Sequence, residues 1–270
     1  MGGTLVLGCG YTGEALSRKL RARGEDVRAT TRSGAASPAL HALGVRVEAW
    51  TAPSAIDLHG VRLAFALFPP GDADADATAA LLQGVPRLVY CSATSVYGAG
   101  DVDDDTPPAP ASESGSARLR AEDAFRRRGA IVVRAAGIYG PGRNVVERHR
   151  AGRLQSSGDL DRPVNLIHVE DLADVLLRAA ERAEPGSVTI AADGHPVAWR
   201  DLLAVAVHAV GRPVPNVEAP SPGAHVTGEW RRCGNRRMRE VLGVHPAFPD
   251  ALVTLASMYG VQVDIERHSP

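Results

Sequence analysis

Short apolar runs and amphipathic stretches alternate through the first half of the chain. Apolar runs that end at glycine, proline or polar residues predict buried β-strands, and apolar residues spaced three and four apart predict helices. The predicted strands are Thr4–Gly8, Val27–Thr31, Val45–Trp50, Val61–Phe68, Arg87–Ser92 and Ala130–Arg134. The predicted helices are Thr12–Arg23, Pro38–Leu43, Asp74–Gln83 and Ser116–Arg128. The alternation predicts parallel βαβ units, and therefore an α/β fold with a doubly wound parallel sheet.

The alternation becomes less regular after Gly137. Pro141–Pro163 is predicted to form a helix with flanking loops, and Ser187–Ala192 is predicted to be a strand. Further helices are predicted at Val169–Arg182, Trp199–Val210 and Phe248–Met258. The chain contains no internal repeat and no flexible interdomain linker.

Charge and cysteine content exclude several classes of partner. The 270 residues carry a net charge of −1, with 30 basic and 31 acidic side chains, which predicts neither nucleic-acid nor anionic-membrane binding. Apolar runs stay shorter than the roughly 20 residues that span a bilayer. The 3 cysteines are far apart and odd in number, which favours reduced thiols and a cytoplasmic location over disulfides or a metal site.

A glycine-rich turn follows the first predicted strand. Gly8-Cys9-Gly10-Tyr11-Thr12-Gly13 has the G-x-G-x-x-G pattern between a strand and a helix, the context in which a Rossmann-like fold binds a dinucleotide. The first glycine permits the turn, the second admits the pyrophosphate, and the third lets the helix pack on the strand. Free N–H groups at the helix N-terminus favour the anion. We therefore expect Gly8, Gly10, Tyr11, Thr12 and Gly13 to bind the cofactor.

The residue at the end of the second predicted strand distinguishes NAD binding from NADP binding. An acidic residue there binds the ribose 2′-hydroxyl of NAD, whereas an arginine accommodates the 2′-phosphate of NADP. The chain has no acid at this point and places Arg32 directly after the strand. NADP(H) is therefore favoured over NAD(H), the alternative being that Arg32 is a solvated loop residue.

Segments in fixed order resemble the extended short-chain dehydrogenase/reductase family of nucleotide-sugar epimerases and dehydratases. After the glycine turn these are Val89–Gly98 with its Val-Tyr-Gly, Val133–Arg143 with its Tyr-Gly-Pro-Gly-Arg, and Asn165–Ala173 with its His-Val-Glu-Asp-Leu-Ala. Arg231–Gly243 is similar to a short atypical branch of that family. On this basis we also expect Pro69 and Ser92, after the fourth strand and at the end of the fifth, to contact the cofactor.

The resemblance implies a division of the chain and a kind of partner. Residues 1–140, with 165–195, would form the Rossmann-like dinucleotide-binding domain, and residues 141–164 with 196–270 a small C-terminal substrate-binding lobe. A small polar or nucleotide-linked substrate would bind between them, and Arg143 would contact its anionic part. Family members often pair through two helices on the flank of the sheet, so a homodimer stays open.

The family's usual catalytic residues are a Ser or Thr, a Tyr, and a Lys four residues after the Tyr. Registering the chain on the family's segments puts Ala93, Ser114 and Arg118 at these positions. A serine hydroxyl is a far weaker acid than a phenol, and arginine does not deprotonate, so the usual proton relay does not transfer. The remaining catalytic candidates are Tyr97, the nearest phenol, with Thr94, Ser114 and Arg118. Each has an alternative: Tyr97 as a packing residue, Thr94 as a local backbone hydrogen-bonder, Ser114 as a helix cap, and Arg118 as a surface charge.

Two functions follow from these residues. The leading hypothesis is an atypical NADP(H)-dependent oxidoreductase or epimerase. The alternative is a catalytically silent protein that binds NADP(H) and reports its redox state to a partner, because such a protein has no need of the family's catalytic residues. An open, polar cleft over the nicotinamide would favour the enzyme, and a cleft filled by apolar side chains would favour the sensor.

Overall fold

The computed structural model describes residues 3–68, 75–156, 158–215 and 230–262. In this part of the chain the strands are β1 (Gly3–Leu7), β2 (Val27–Thr31), β3 (Arg46–Ala49), β4 (Val61–Ala66), β5 (Arg87–Ala93), β6 (Gly100–Val102), β7 (Ile131–Ala135), β8 (Gly137–Tyr139), β9 (Pro163–Val164), β10 (Leu166–His168), β11 (Val188–Ala191), β12 (Val197–Ala198) and β13 (Arg231–Cys233). The helices are α1 (Tyr11–Ala22), α2 (Pro38–Ala42), α3 (Ala75–Leu81), α4 (Glu113–Arg126), α5 (Val145–Arg150), α6 (Val169–Arg182), α7 (Trp199–Val210), α8 (Arg236–Glu240) and α9 (Ala251–Tyr259).

A seven-stranded parallel sheet with the order β11-β7-β5-β4-β1-β2-β3 forms the centre of the fold. The chain moves outward from β1 to β3, then returns to β4 on the other side of β1. This reversal is the topological switch point of a doubly wound sheet, and ligands bind outside the carboxyl ends of the strands there. The predicted α/β, doubly wound, Rossmann-like fold is confirmed.

Helices cover both faces of the sheet because its strands are apolar on both sides. On one face α1 packs against α6, and on the other α3 packs against α4. The apolar face predicted for α6 is fully buried, namely Leu172, Val175, Leu176 and Ala179. Burial of that face explains why α6 begins and ends where its amphipathic pattern predicts.

A third apolar cluster lies beside the sheet. It joins α5, α7 and α9 through residues such as Val146, Leu203 and Leu255. These helices fall in the residues predicted to form the substrate lobe, whose standing as a separate domain stays a prediction. Within the described residues, no helix is long and apolar enough to cross a bilayer. No group of three or more His, Cys, Asp or Glu side chains there is placed to hold a metal ion.

Some element boundaries differ from the sequence predictions. Helix α4 begins at Glu113 rather than Ser116, because the Ser112 hydroxyl accepts a hydrogen bond from the Gly115 N–H (3.1 Å) and caps the helix one turn earlier. Strand β4 ends at Ala66 rather than Phe68. The pairs β10–β8, β12–β9 and β13–β6 were not predicted, because strands of two or three residues carry no readable periodicity.

Candidate functional site

The first glycine of the turn fixes its shape. Gly8 has φ +76°, and a Cβ at this position would lie 3.0 Å from the Cβ of Phe68. The Gly8 N–H donates to the Thr30 hydroxyl (3.1 Å) and the Cys9 N–H to the Thr30 carbonyl (2.7 Å). The turn is thereby held against β2.

The other two glycines of the turn differ in the space around them. A Cβ on Gly13 would lie 3.1 Å from the Sγ of Cys9 and 3.3 Å from Cγ1 of Val6, so α1 packs closely on β1. A Cβ on Gly10 would meet no atom of the described residues within 4 Å. No side chain caps α1. Its first N–H groups therefore stay available to an anion held in the space over Gly10.

A cleft of about 1420 Å³ opens at this turn. It runs over the carboxyl ends of the central strands, and residues from β8, β9 and β13 or beside them bound it on the lobe side. Ordinary small-molecule pockets measure roughly 300–1,000 Å³. This cleft therefore has room for a dinucleotide with a second ligand beside it.

The cleft is strongly cationic although the whole chain is near neutral. Its described lining includes five arginines and no acidic or lysine side chain. The arginines are Arg32, Arg118, Arg143, Arg162 and Arg231. Within the described residues none of the five forms an ion pair with a carboxylate. Such a lining attracts a ligand with several negative charges.

Arg32 lies at one end of the cleft, directly after strand β2. Its side chain is exposed and lines the cleft together with Ser33 and Trp50. Gly34 follows with φ +73°, and a Cβ there would lie 3.0 Å from the Ala49 amide nitrogen, so the loop turns sharply beside β3. The arginine is thus at the β2 end of the cleft, where the sequence motif places the adenosine ribose.

Tyr11 connects the glycine turn to the segment that follows β8. Its phenol donates to the carbonyl of Pro141 (3.0 Å), and the Arg143 guanidinium lies 5.5 Å from its ring centre. Burial raises the pKa of Tyr11. A Cβ on Gly140, which has φ +153°, would come within 2.6 Å of the phenol oxygen, so a glycine is required for this approach. Tyr11 therefore positions Arg143, which is exposed and lines the cleft.

The carboxyl end of β5 presents polar atoms to the cleft. The Ser92 hydroxyl is buried and lacks a hydrogen-bond partner among the described residues, although Ser92 lines the cleft. The Thr94 carbonyl accepts a hydrogen bond from Nη1 of Arg231 (2.8 Å). Burial raises the pKa of the Cys91 thiol to about 11, which leaves it protonated at neutral pH. The Ser92 hydroxyl, next to Ala93, is therefore a donor without an acceptor among the described residues.

Helix α4 brings two of the predicted residues to the same cleft. Gly115 approaches the Ser95 carbonyl so closely that a Cβ would clash with it. This contact sets the first turn of α4 against the end of β5, where Ser114 and Arg118 both line the cleft. The Ser114 hydroxyl lies 3.2 Å from that of Ser112, which is the residue that caps the helix. The roles of Ser114 and Arg118 stay predictions.

Tyr97 is placed differently from its predicted acid role. Its side chain is fully buried and does not line the cleft. The phenol donates to the Asp103 carbonyl (3.0 Å) and accepts from Nη1 of Arg134 (2.6 Å), while burial raises its pKa. A phenol bound in this way has no access to a substrate. We therefore correct the predicted acid role of Tyr97 to a structural one, in the network of Arg134 and Glu122.

Replacing Tyr97 by Phe is expected to lower stability without affecting the cleft. Arg134 would lose a buried acceptor, which costs about 1–3 kcal/mol of unfolding free energy. Denaturant unfolding measures this loss, and titration with NADPH should give an unchanged affinity. A variant of full stability with weakened nucleotide or substrate binding would return Tyr97 to the site.

Sequence reasoning missed several residues of the cleft, among them Arg162, Asn165 and Arg231. Asn165 and Arg231 begin segments that resemble the family, but nothing in the sequence of those segments marks either residue as part of the site. Pro69, predicted to contact the cofactor, lies outside the described residues.

The lobe side of the cleft is anchored through α6. The Asp171 carboxylate accepts hydrogen bonds from the N–H groups of Ala247 (2.9 Å) and Phe248 (3.1 Å). The His168 ring lies 3.7 Å from the Phe248 ring, and its Nδ1 accepts from the Glu170 N–H (3.3 Å). Both side chains contact the segment before α9, and neither lines the cleft.

Comparison with known proteins agrees with this geometry. The sequence model of the NAD dependent epimerase/dehydratase family matches residues 76–191. Protein YeeZ of Escherichia coli K12 is 29% identical over 216 residues, which cover 71% of this chain and 78% of YeeZ.

Two solved structures share the fold over nearly their whole length. A conserved protein of unknown function from Silicibacter pomeroyi is 30% identical with a TM-score of 0.81, covering 96% of this chain and 99% of that one. MoeE5, solved with UDP-glucose and NAD, is 22% identical with a TM-score of 0.79. The match covers 96% of this chain and 98% of the MoeE5 chain. Taken with the glycine turn, the switch-point cleft and the ordered motifs, these matches show that the chain belongs to the NAD-dependent epimerase/dehydratase family.

Proposed function

We propose that the chain is an NADP(H)-dependent oxidoreductase or epimerase that acts on a small polar, nucleotide-linked substrate. One observation carries the proposal: the G-x-G-x-x-G turn opens onto a 1420 Å³ cleft whose described lining has five arginines and no acid. A dinucleotide fills one part of such a cleft, and its phosphates need cationic and N–H partners.

The chain's own residues fit the cofactor part by part. The space over Gly10, beside the first N–H groups of α1, receives the pyrophosphate. Arg32 receives the 2′-phosphate, and Ser92 with Thr94 lies at the nicotinamide end over β5. When bound, the cofactor supplies reversible hydride transfer at the nicotinamide ring.

Arg143 and the lobe support a nucleotide-linked substrate. Arg143 is held beside Tyr11 at the boundary between sheet and lobe, within reach of a ligand that enters beside the dinucleotide. A nucleotide-linked ligand, such as the UDP-glucose bound by MoeE5, carries anionic phosphates that an arginine there can bind.

Proton transfer in this cleft differs from that in the rest of the family, where a tyrosine phenol and a lysine carry it out. Ser114 and Thr94 supply hydroxyls at the cleft that orient a carbonyl oxygen, and Arg118 supplies a permanent positive charge. None of these groups is an acid at neutral pH, so the proton is exchanged with water or with the substrate itself.

The alternative function, a catalytically silent sensor of NADP(H), has less support than the enzyme. It predicts a cleft filled by apolar side chains, whereas the described cleft is open and lined by arginines. Our proposal includes a cytoplasmic location, in line with three free cysteines. Pairing of two copies through the flank of the sheet stays a prediction.

The experiment is a titration of the purified protein with NADPH and with NADH, followed by nicotinamide fluorescence. Arg32→Ala should weaken NADPH about tenfold or more, because a charge-assisted hydrogen bond is worth roughly 1.5–3 kcal/mol, and should leave NADH unchanged. Arg120→Ala, an exposed arginine that does not line the cleft, is the control. Equal affinities of the wild type for both nucleotides would exclude the NADP(H) preference.

A further inference from the structure

Arg162 and Arg231 form a cationic wall at the substrate end of the cleft. Asn165 holds the two segments together, because its Nδ2 donates to the Arg231 carbonyl (2.8 Å) and its Oδ1 accepts from the Cys233 N–H (2.8 Å). Strand β13 thereby packs beside β9, which begins directly after Arg162. The two guanidinium groups thus belong to adjacent segments of one wall.

Both guanidinium groups are partly removed from water, and neither forms an ion pair with a described carboxylate, although the Asp159 carboxylate lies close enough to Arg162 to favour its charged form. Arg162 is half-buried over the Trp199 ring, 4.8 Å from its centre, and burial lowers the pKa of Arg162. The Nε of Arg231 is buried and has no hydrogen-bond partner among the described residues. A desolvated charge is costly unless it is paired, so this wall is built for an anion that the described residues do not supply.

The position of Arg231 indicates which part of the ligand carries that anionic group. Its Nη1 reaches the Thr94 carbonyl, so the side chain extends to the carboxyl end of β5. In a doubly wound sheet the nicotinamide half of the dinucleotide lies on this side of the switch point. An anion bound here is therefore attached close to the carbon that reacts, several bonds away from any diphosphate of a nucleotide-linked substrate.

We propose that Arg231 and Arg162 bind a carboxylate carried by the reacting part of the substrate. The inference rests on the proposed function and narrows its substrate class to carboxylated alcohols or ketones. A planar guanidinium binds a carboxylate with two parallel hydrogen bonds, which orients the group as well as attracting it. The buried Ser92 hydroxyl, also without a described partner, supplies a neutral donor beside the reacting oxygen.

Calorimetric titration with matched ligand pairs tests this. The first pair is UDP-glucuronate and UDP-glucose, which differ in one carboxylate, bound to the full chain with NADPH. The second is 2-oxobutanoate and 2-butanone with NADP⁺. Neither combination can react. The UDP-sugars and NADPH are both in the reduced form, and the two ketones and NADP⁺ are both in the oxidised form. The carboxylated member of at least one pair should bind at least tenfold more tightly.

Substitutions distinguish carboxylate binding by Arg162 and Arg231 from a general attraction of anions to the cationic cleft. Arg231→Gln and Arg162→Gln should each bring the ratio of affinities within a pair to about twofold or less. Arg231→Lys should retain part of it, and Arg232→Gln, an exposed neighbour that does not line the cleft, should retain all of it. If Arg231→Gln does not fold, Arg162→Gln decides alone.

The outcomes separate this inference from the proposed function. Wild-type protein that binds NADPH but shows no carboxylate preference in either pair overturns the inference and leaves the proposed function standing. A preference that survives both glutamine variants also overturns it. Failure of the wild type to bind NADPH, measured in the same titrations, removes the proposed function instead.

Discussion

Gly10→Asp should abolish dinucleotide binding while leaving the protein folded. The backbone of Gly10 has a negative φ (−91°) with ψ −147°, slightly beyond the β region that L-residues favour, and a Cβ there meets no described atom within 4 Å. Aspartate is moreover a good helix N-cap. Its carboxylate, however, would occupy the pyrophosphate space and repel the phosphates. Losing one or two hydrogen bonds to a charged group, with repulsion added, predicts a fall in NADPH affinity of at least about 100-fold.

Gly84→Asp is the matched control for this variant. Gly84 also has open space around it and no positive φ, and it does not line the cleft. Nucleotide fluorescence should show wild-type affinity for Gly84→Asp, and circular dichroism should show both variants folded. If folded Gly10→Asp bound NADPH as well as the wild type, the pyrophosphate would lie elsewhere.

Glu122→Gln should produce the largest loss of stability. Glu122 and Arg134 are almost wholly buried, with side chains 0% and 3% exposed, and Arg134 donates to Glu122 through Nε (3.0 Å) and Nη2. Tyr97 accepts the remaining bond from Nη1. Removing one charge leaves the other uncompensated in the interior, which costs about 3–5 kcal/mol of unfolding free energy.

A surface pair and a double variant make this test specific. Glu240 pairs with Arg236 in the open, with side chains 64% and 56% exposed, so Glu240→Gln should change stability by less than about 1 kcal/mol. Replacing both Glu122 by Leu and Arg134 by Met should recover much of the loss, since no charge is then stranded. Denaturant unfolding measures all of these variants. A loss for Glu122→Gln no larger than for Glu240→Gln would contradict the account.

The sequence predicted those parts of the fold in which local pattern and burial agree. Strand Val27–Thr31 and helices Val169–Arg182 and Trp199–Val210 have the predicted bounds. In Val169–Arg182 the apolar face is wide and regular, and it is wholly buried against the sheet and α1. The turn Gly8–Gly13 was readable because its glycines have the G-x-G-x-x-G spacing between a strand and a helix, and in the structure Gly8 and Gly13 have little room for a side chain.

Other parts of the site depend on contacts that local pattern does not encode. Tyr97 follows a strand in a motif near the cleft, yet its direction is set by Arg134, 37 residues away. Arg231 reaches the cleft only because β13 pairs with β6 and because Asn165, 66 residues earlier, bonds its backbone. Such residues come together through long-range pairing of two- and three-residue strands, which composition and periodicity cannot predict.

We propose that the cleft over the glycine turn holds a nicotinamide dinucleotide. The most direct measurement is titration of the unmodified protein with NADPH and NADH, followed by nicotinamide fluorescence. We expect saturable binding of one NADPH per chain, with NADH bound about tenfold or more weakly. If a folded protein bound neither nucleotide, the glycine turn would be a structural feature only, and both the enzyme and the sensor would be excluded.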